Sequence, residues 1–399
     1  MTKTNRPILI FPSAIGQSHL TRLVLIALEL QRRGAEIAFA FKEPNNQILQ
    51  HYKFSVFPVS DAVVTDFSSN VFAAYTPSLI EQCVKDELKV IETFKPDAIV
   101  GDFRLTAAIS AQIAKIPYIS VVDACMTDYF DPVDIMIYKE SRPLEHKIAS
   151  VTGKAIQALQ KRTLATPFRT VAQKYRLKNL TSLYDFLTGD LTLIADSPEF
   201  CPLENLPDHF RYIGPLIWEG IEETVPDYLK KINPSKKLIY ATTGNTGKEK
   251  FIQLVTDAFK NDINYEVILT TGAFIHPDAV PKFPNIHTAK FIPGSKIMQQ
   301  SQAVIHCGGN GTTYQTLSQG LPAIVIPFNN EQTINAWLIK KHKLGIPLSP
   351  AKLTGSQVKL AVQKLLDDVD TEESVQHFKH LLAKMDAPKF AADQISTLF

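Results

Sequence analysis

The chain has 399 residues, of which 45% are hydrophobic, 21% charged and 9% aromatic. At about 100–200 residues per domain, this predicts two or three domains with sizeable cores and excludes both wholesale disorder and a staple-dependent miniprotein. The formal net charge of +2 gives no whole-chain case for a nucleic-acid partner.

Four cysteines, at 83, 125, 201 and 307, form neither a CxxC pair nor a disulfide framework. The start of the chain lacks a basic region, a long apolar segment and a cleavage site, and no window is long enough to span a bilayer. The expectation is a reduced, soluble, cytoplasmic protein.

Residues 7–12 are a short apolar run. A loop follows at 13–19, then a helical pattern over 20–33 that Gly34 ends, then a second apolar run at 36–41. Similar runs recur at 54–59, 98–100 and 118–122, with a helical stretch at 106–114. Continuous apolar runs alternating with helices predict an α/β domain on a parallel sheet buried on both faces.

Residues 139–178 read as helical and carry ten basic and two acidic residues, a local net charge of +8. Such a segment is either a solvated helical face or a docking surface for an anionic acceptor or membrane. A strand at 191–195 and a Pro-rich stretch lead to 212–216, and turn-rich acidic sequence runs on to 234.

The alternation then restarts, with strands at 238–242, 265–270, 303–305 and 323–326 and helices at 249–259 and 312–319. Residues 356–385 read as one helical block, and a last helix begins at 388. The expected organisation is a first domain at 1–216, a linker at 217–234, a second domain at 235–385, and a terminal helix at 386–399 returning toward the first. Tandem α/β domains leave a cleft, where small molecules bind.

The strongest local signal runs from 304 to 337. A strand ends at His306, Gly308, Gly309 and Gly311 permit a tight turn, and a helix begins at Thr312. Free backbone N–H groups there suit a phosphate or pyrophosphate, and His306 could donate to the same anion. Asn329, Asn330, Glu331 and Gln332 follow the next strand, a polar cluster suited to sugar hydroxyls or simply a solvated loop.

In the first domain, Gly16, Gln17, Ser18 and His19 occupy the first strand-to-helix loop. A histidine near a helix N-terminus favours a neutral ring that can take up a proton. Asp102, just past a strand, could hold the other ring nitrogen and fix the tautomer. A capping histidine and an unrelated aspartate are the plain alternative. Asp368 and Asp370 form a DxD in a solvated helical stretch, and no metal is expected.

These motifs resemble a GT-B glycosyltransferase, in the family of the UDP-glycosyltransferases and the bacterial antibiotic (macrolide-type) glycosyltransferases. The resemblance rests on Phe291 and Pro293, on the stretch from His306 to Asn310, on the Gly-x-Pro at 320–322, and on Glu331 and Gln332. It implies two Rossmann-like α/β/α domains facing across a cleft, with a C-terminal helix packing back on the first. It implies His19 as general base and Asp102 as the acid that orients it. Donor contacts fall on Thr243, Gly244, Phe291, His306, Gly308, Gly309, Asn310, Gly311, Thr312, Glu331 and Gln332, with Phe291 stacking on the base.

Three places depart from the family pattern. Tyr314 stands where the family often has a ribose-binding glutamate, and Gly294 where a glutamine is common. The Gly-His pair is spread over Gly16 to His19, which keeps Ser18 and Arg22 as candidates for acceptor or phosphate contact.

The implied activity is metal-independent, inverting transfer of a hexose from a nucleoside diphosphate sugar, UDP favoured over dTDP, to a small apolar or aromatic acceptor or a lipid. No cofactor is expected beyond that co-substrate. Acceptor-side loops are expected at about 66–80 and 125–150, where Phe67, Phe72, Tyr75, Tyr129 and Phe130 either meet an apolar or aromatic acceptor or belong to the core, and Phe72, Tyr75 and Tyr129 join Ser18 and Arg22 as candidate acceptor or phosphate contacts. The rival readings are a nucleotide-sugar epimerase of the same fold and a non-catalytic ligand-binding relative. A nicotinamide-dependent dehydrogenase is disfavoured, since the first loop lacks GxGxxG.

Overall fold

The computed structural model describes residues 6–63, 71–131, 158–221, 232–244, 248–272 and 275–398. The chain divides into two compact units, Met1–Leu216 with Asp386–Phe399, and Ile217–Met385.

The first unit holds β1 (Pro7–Pro12), β2 (Glu36–Phe41), β3 (Ser55–Pro58), β4 (Ala98–Asp102), β5 (Tyr118–Val122), β6 (Leu191–Ile194) and β7 (Phe210–Tyr212). Their order is β3-β2-β1-β4-β5-β6-β7, and every neighbouring pair is parallel. β4 and β5 are buried at every position, which is why they read as unbroken apolar runs. The strand read at 98–100 extends to Asp102, which is fully buried as its last residue.

Chain direction reverses across the sheet between β1 and β4, where Pro12 pairs with Asp102. Crevices at such switch points, outside the carboxyl ends of strands, are where open α/β sheets place their sites.

The helix Gln17–Arg32 follows β1 and buries Leu20, Leu23, Val24, Ala27 and Leu30, a helical spacing. Gly34, at φ +94, takes the left-handed turn just past its end. The helix Pro77–Phe94 was not foreseen and shortens the expected acceptor loop at 66–80. Thr76 caps it by accepting from the Leu79 N–H at 3.2 Å, with Pro77 at its first position. The last helix, Ala387–Ser396, lies in this unit on Gln17–Arg32, where Arg33 donates to Asp393 at 2.7 Å and to the Lys389 carbonyl at 3.0 Å.

Part of the basic segment, 139–157, lies outside the described residues. In the remainder the helix Thr166–Lys174 buries Phe168, Val171 and Ala172. Lys161 pairs with Asp128 at 2.8 Å and Lys174 with Glu81 at 2.7 Å. Among the described residues no helix is long and apolar enough to cross a membrane.

The second unit holds β8 (Lys237–Thr242), β9 (Tyr265–Thr270), β10 (Ile286–Ala289), β11 (Ala303–His306), β12 (Ala323–Val325) and β13 (Gly345–Pro347). Their order is β10-β9-β8-β11-β12-β13, again all parallel. The switch point falls between β8 and β11, where Thr242 pairs with His306.

The short edge strands β10 and β13 carry too few buried apolar residues to have been read from sequence. The block at 356–385 is two helices, Gly355–Leu366 and Val369–Leu382. Asp368 breaks it by capping the second helix, accepting from the Thr371 N–H at 3.3 Å, while Asp370 pairs with Lys343 at 2.9 Å.

Candidate active site

In the first unit the loop after β1 is pinned to β4 and to the residues beyond β3. The Ser13 N–H donates to the Asp102 carbonyl at 3.0 Å, and the Ala14 N–H to Asp61 Oδ2 at 2.8 Å. The chain then enters its helix with His19 in the first turn. The register that pairs Pro12 with Asp102 sets the two side chains together, with His19 Nδ1 2.8 Å from Asp102 Oδ1.

The His19 side chain keeps 16% of its surface open, whereas Asp102 keeps 1%. An ionised carboxylate can only accept, so Nδ1 carries the proton, and in the neutral ring Nε2 presents a lone pair.

Arg22, one helical turn on, was a candidate for phosphate or acceptor contact. It is instead a buried partner of two carboxylates. Its Nε and one terminal nitrogen donate to the two oxygens of Asp102, each at 2.8 Å, and its other terminal nitrogen pairs with Asp123. Burial alone would lower the Arg22 pKa, but Asp102 and Asp123 outweigh it and raise it. Burial would likewise raise Asp102, yet Arg22 and then His19 hold its pKa below the usual carboxylate value. Asp102 thus stays ionised beside His19.

Ser18 is exposed, and its carbonyl accepts from the Thr21 hydroxyl at 3.2 Å. Phe72 lies 5.8 Å from Phe103, whose ring stacks on His19 at 5.0 Å between centroids and 11° between planes. Tyr75 does not face an acceptor. It is 4% exposed, and its hydroxyl donates to Asp61 at 2.8 Å. Tyr129 packs edge-on against Phe210 at 5.1 Å, and Phe67 lies outside the described residues.

Sequence reasoning passed over Phe103, Asp123 and the buried trio of Asp61, Glu87 and Arg104. Asp123 could have been found, since it directly follows β5 as Asp102 ends β4.

In the second unit β11 ends at buried His306, and the chain turns through Gly308 into the helix Asn310–Ser318. Gly308 has φ +92, and a Cβ there would meet the Gln332 carbonyl and Val325 Cγ1, each at 2.9 Å. No other residue fits. A Cβ on Gly309 or Gly311 would meet none of the described residues within 4 Å. The first turn of a helix leaves N–H groups without helical acceptors.

His306 Nδ1 accepts from the Gly308 N–H at 3.0 Å, which puts the ring proton on Nε2. That Nε2 is buried and has no hydrogen-bond partner among the described residues. Burial also lowers the His306 pKa to about 3, so the ring is a neutral donor. A buried N–H of this kind, beside the first turn of a helix, is a donor of the type that anions accept from.

Gly244, at φ +59, stands across the switch point, where an added Cβ would lie 3.9 Å from Thr312 Oγ1. Thr243, beside it, is buried. The Asn310 N–H reaches Glu331 Oε1 at 3.4 Å. Gln332 is buried, and its Oε1 accepts from the Phe328 N–H at 2.8 Å. Asn335, unforeseen, donates to the Gly308 carbonyl at 2.8 Å and braces the turn. Phe291 follows β10 with 45% of its surface exposed, while Tyr314 is 1% exposed. Among the described residues no group of three or more His, Cys, Asp or Glu could hold a metal ion.

Residues 254–398 match the C-terminal domain of erythromycin biosynthesis protein CIII-like proteins. A PGL/p-HBAD biosynthesis glycosyltransferase of Mycobacterium tuberculosis is 27% identical over 398 residues, covering 96% of this chain and 89% of that protein. The calicheamicin glycosyltransferase CalG4 shares the fold at a TM-score of 0.75 with 18% identity, over 99% of this chain and 98% of its own. The glycosyltransferase VinC in complex with dTDP does so at 0.71 with 17% identity, over 98% of each chain. This chain is a GT-B glycosyltransferase. The glycosyltransferase thus carries a histidine–carboxylate pair at one switch point and a glycine turn into a helix start at the other.

Proposed function

We propose that this glycosyltransferase moves a hexose from a nucleoside diphosphate sugar to a hydroxyl of a small apolar or aromatic acceptor, or of a lipid, with inversion at the anomeric carbon. The observation that carries the reading is the His19–Asp102 pair at 2.8 Å, with Nε2 left to take up a proton. His19 Nε2 accepts the acceptor's hydroxyl proton as that oxygen bonds to the anomeric carbon. The bond from that carbon to the diphosphate breaks on the opposite face, and its electron pair leaves with the phosphate. The amides at 309–312 and the His306 Nε2–H stabilise the developing charge. These donors serve without a metal, and chelator should leave the rate unchanged.

Exposed Phe291 is the platform for the base, and Glu331 the partner for sugar hydroxyls. One observation favours dTDP over the UDP expected from sequence. Tyr314, at the place of the family's ribose-binding glutamate, is buried, so that position offers no carboxylate to a 2′-hydroxyl. The Phe103 ring on His19, with Phe72 packed against it, supports an apolar acceptor. Four free cysteines, all buried, fit a reducing cytoplasm.

A mass-spectrometric screen of UDP- and dTDP-linked sugars against hydroxylated aromatics and glycolipid precursors tests this reading. Proton NMR of the product reports the anomeric configuration. Retention of configuration, or donor hydrolysis with no acceptor glycosylated, would sink it.

A further inference from the structure

The residue between Asp102 and Arg104 has a backbone that its side chain disfavours. Phe103 sits at φ +52, in the left-handed region, which costs a bulky residue strain that glycine or asparagine largely escapes. Such strain persists where the surroundings hold it, and it concentrates at functional sites.

What the strained turn achieves is visible in its neighbours. On one side Asp102 grips the edge of the His19 ring through Nδ1 at 2.8 Å. On the other side Arg104 is buried and bound to Asp61 at 2.7 Å and to Glu87 at 2.8 Å. Asp61 in turn accepts from the Ala14 N–H at 2.8 Å, at the root of the loop that leads to His19. Between these anchors the left-handed turn lays the Phe103 ring flat on the imidazole, 5.0 Å between centroids and 11° from parallel. A right-handed or extended residue at 103 would point elsewhere.

We propose that Phe103 is a positioning residue of this glycosyltransferase, its ring clamping the face of His19 while Asp102 holds the edge, so that Nε2 stays aimed at the acceptor hydroxyl. The inference rests on the reading of His19 as the base. An imidazole fixed only by Nδ1 can still tip about that hydrogen bond, and a second, orthogonal contact removes that freedom. Misplacements of about 1 Å cost roughly 100-fold in rate.

The test compares Phe103→Gly, Phe103→Asn and Phe103→Tyr with the wild type, in full steady-state kinetics and thermal melts. Gly and Asn accept the left-handed backbone without a ring, and Tyr keeps the ring. The expected result is a kcat lowered roughly 10- to 100-fold in the first two, with KM for the donor sugar unchanged and Tm equal to or above wild type. Phe103→Tyr restores kcat to within about threefold, since it keeps the stacked face.

Wild-type kcat in Phe103→Gly and Phe103→Asn overturns the proposal. So does a parallel loss of kcat and Tm, or an equal loss of kcat in the Tyr variant. A His19→Ala control run alongside separates the two readings. If it retains activity, the base assignment has failed. If it is inactive while the Gly and Asn variants are not, only the clamp has failed.

Discussion

The two switch points of this chain share a topology and differ in chemistry. In the first unit the loop and helix after β1 and the end of β4 gather ions: Asp102 and Arg22 meet at His19, and Asp123, just past β5, holds Arg22. In the second unit the loop after β8 and the end of β11 gather neutral donors: a histidine held uncharged, glycine backbone and the amide of Asn335. Proton abstraction needs a base whose tautomer and orientation are fixed, and an ionised carboxylate provides both. Holding a diphosphate needs many N–H groups converging on one place, and a glycine-lined helix start provides those without a buried cation. The parallel sheet supplies the crevice, and the residues at its strand ends decide what the crevice does.

The sharpest way to break the comparison is to remove the base alone. His19→Ala should lower kcat by about 10²–10⁴-fold. Affinity for nucleoside diphosphate, measured by calorimetry, should be unchanged, because the proposed reading gives that ligand to the other unit. A matching loss of affinity would mean that the division of labour is wrong.

Charge removal from the first site is next. Asp102→Asn keeps the shape but leaves Arg22 with Asp123 as its remaining carboxylate. Breaking a buried pair costs about 3–5 kcal/mol, so the first unit should melt earlier in calorimetry while the second does not. Gly308→Ala is the counterpart in the second unit. A Cβ there would meet backbone and side chain at 2.9 Å at a left-handed φ, and about 1–3 kcal/mol should be lost together with nucleotide binding. A Gly308→Ala protein that binds nucleotide normally would show that the turn does not carry the donor.

Much of this was legible in the sequence, because it was written in local patterns. Buried parallel strands appear as apolar runs, and Gly308 could be read as a tight turn. His19 and Asp102 stood out because each follows an apolar run. What was missed depends on partners distant in sequence. Arg22 was read as a phosphate contact because nothing near it in the chain shows that β4 and β5 bring Asp102 and Asp123 to it. Tyr75 reads as a candidate acceptor contact because its partner, Asp61, lies fourteen residues back in the loop beyond β3. The helix Pro77–Phe94 hid because Glu87 occupies its buried face, and the Arg104 that makes such burial tolerable comes from the turn after β4. The hydrogen bond from the Phe328 N–H to Gln332 Oε1 is likewise invisible in a stretch that reads only as a polar cluster after a strand.

The smallest effect separates the two sites by pH. A His306 pKa lowered from 6.5 to about 3 means that, between those values, the unfolded chain binds a proton that the folded second unit does not. Stability from this residue is therefore complete above pH 6.5 and is lost as pH falls, at a limiting slope of about 1.4 kcal/mol per pH unit. Asp102 acts in a different window. Its folded pKa is lowered, so its contribution is present above the unfolded value, about 3.9, and is lost only as pH falls below that. Between pH 6.5 and 4, acid should weaken the second unit through His306 while leaving the contribution of Asp102 intact. The two tryptophans, Trp218 and Trp337, both lie in the second unit, so intrinsic tryptophan fluorescence reports its unfolding selectively. Urea titrations followed by that signal should show a midpoint that falls from pH 6.5 to 4.5 in the wild type and falls less in His306→Gln. An identical fall in both proteins would mean that His306 is not the neutral, buried donor on which the contrast between the two sites depends.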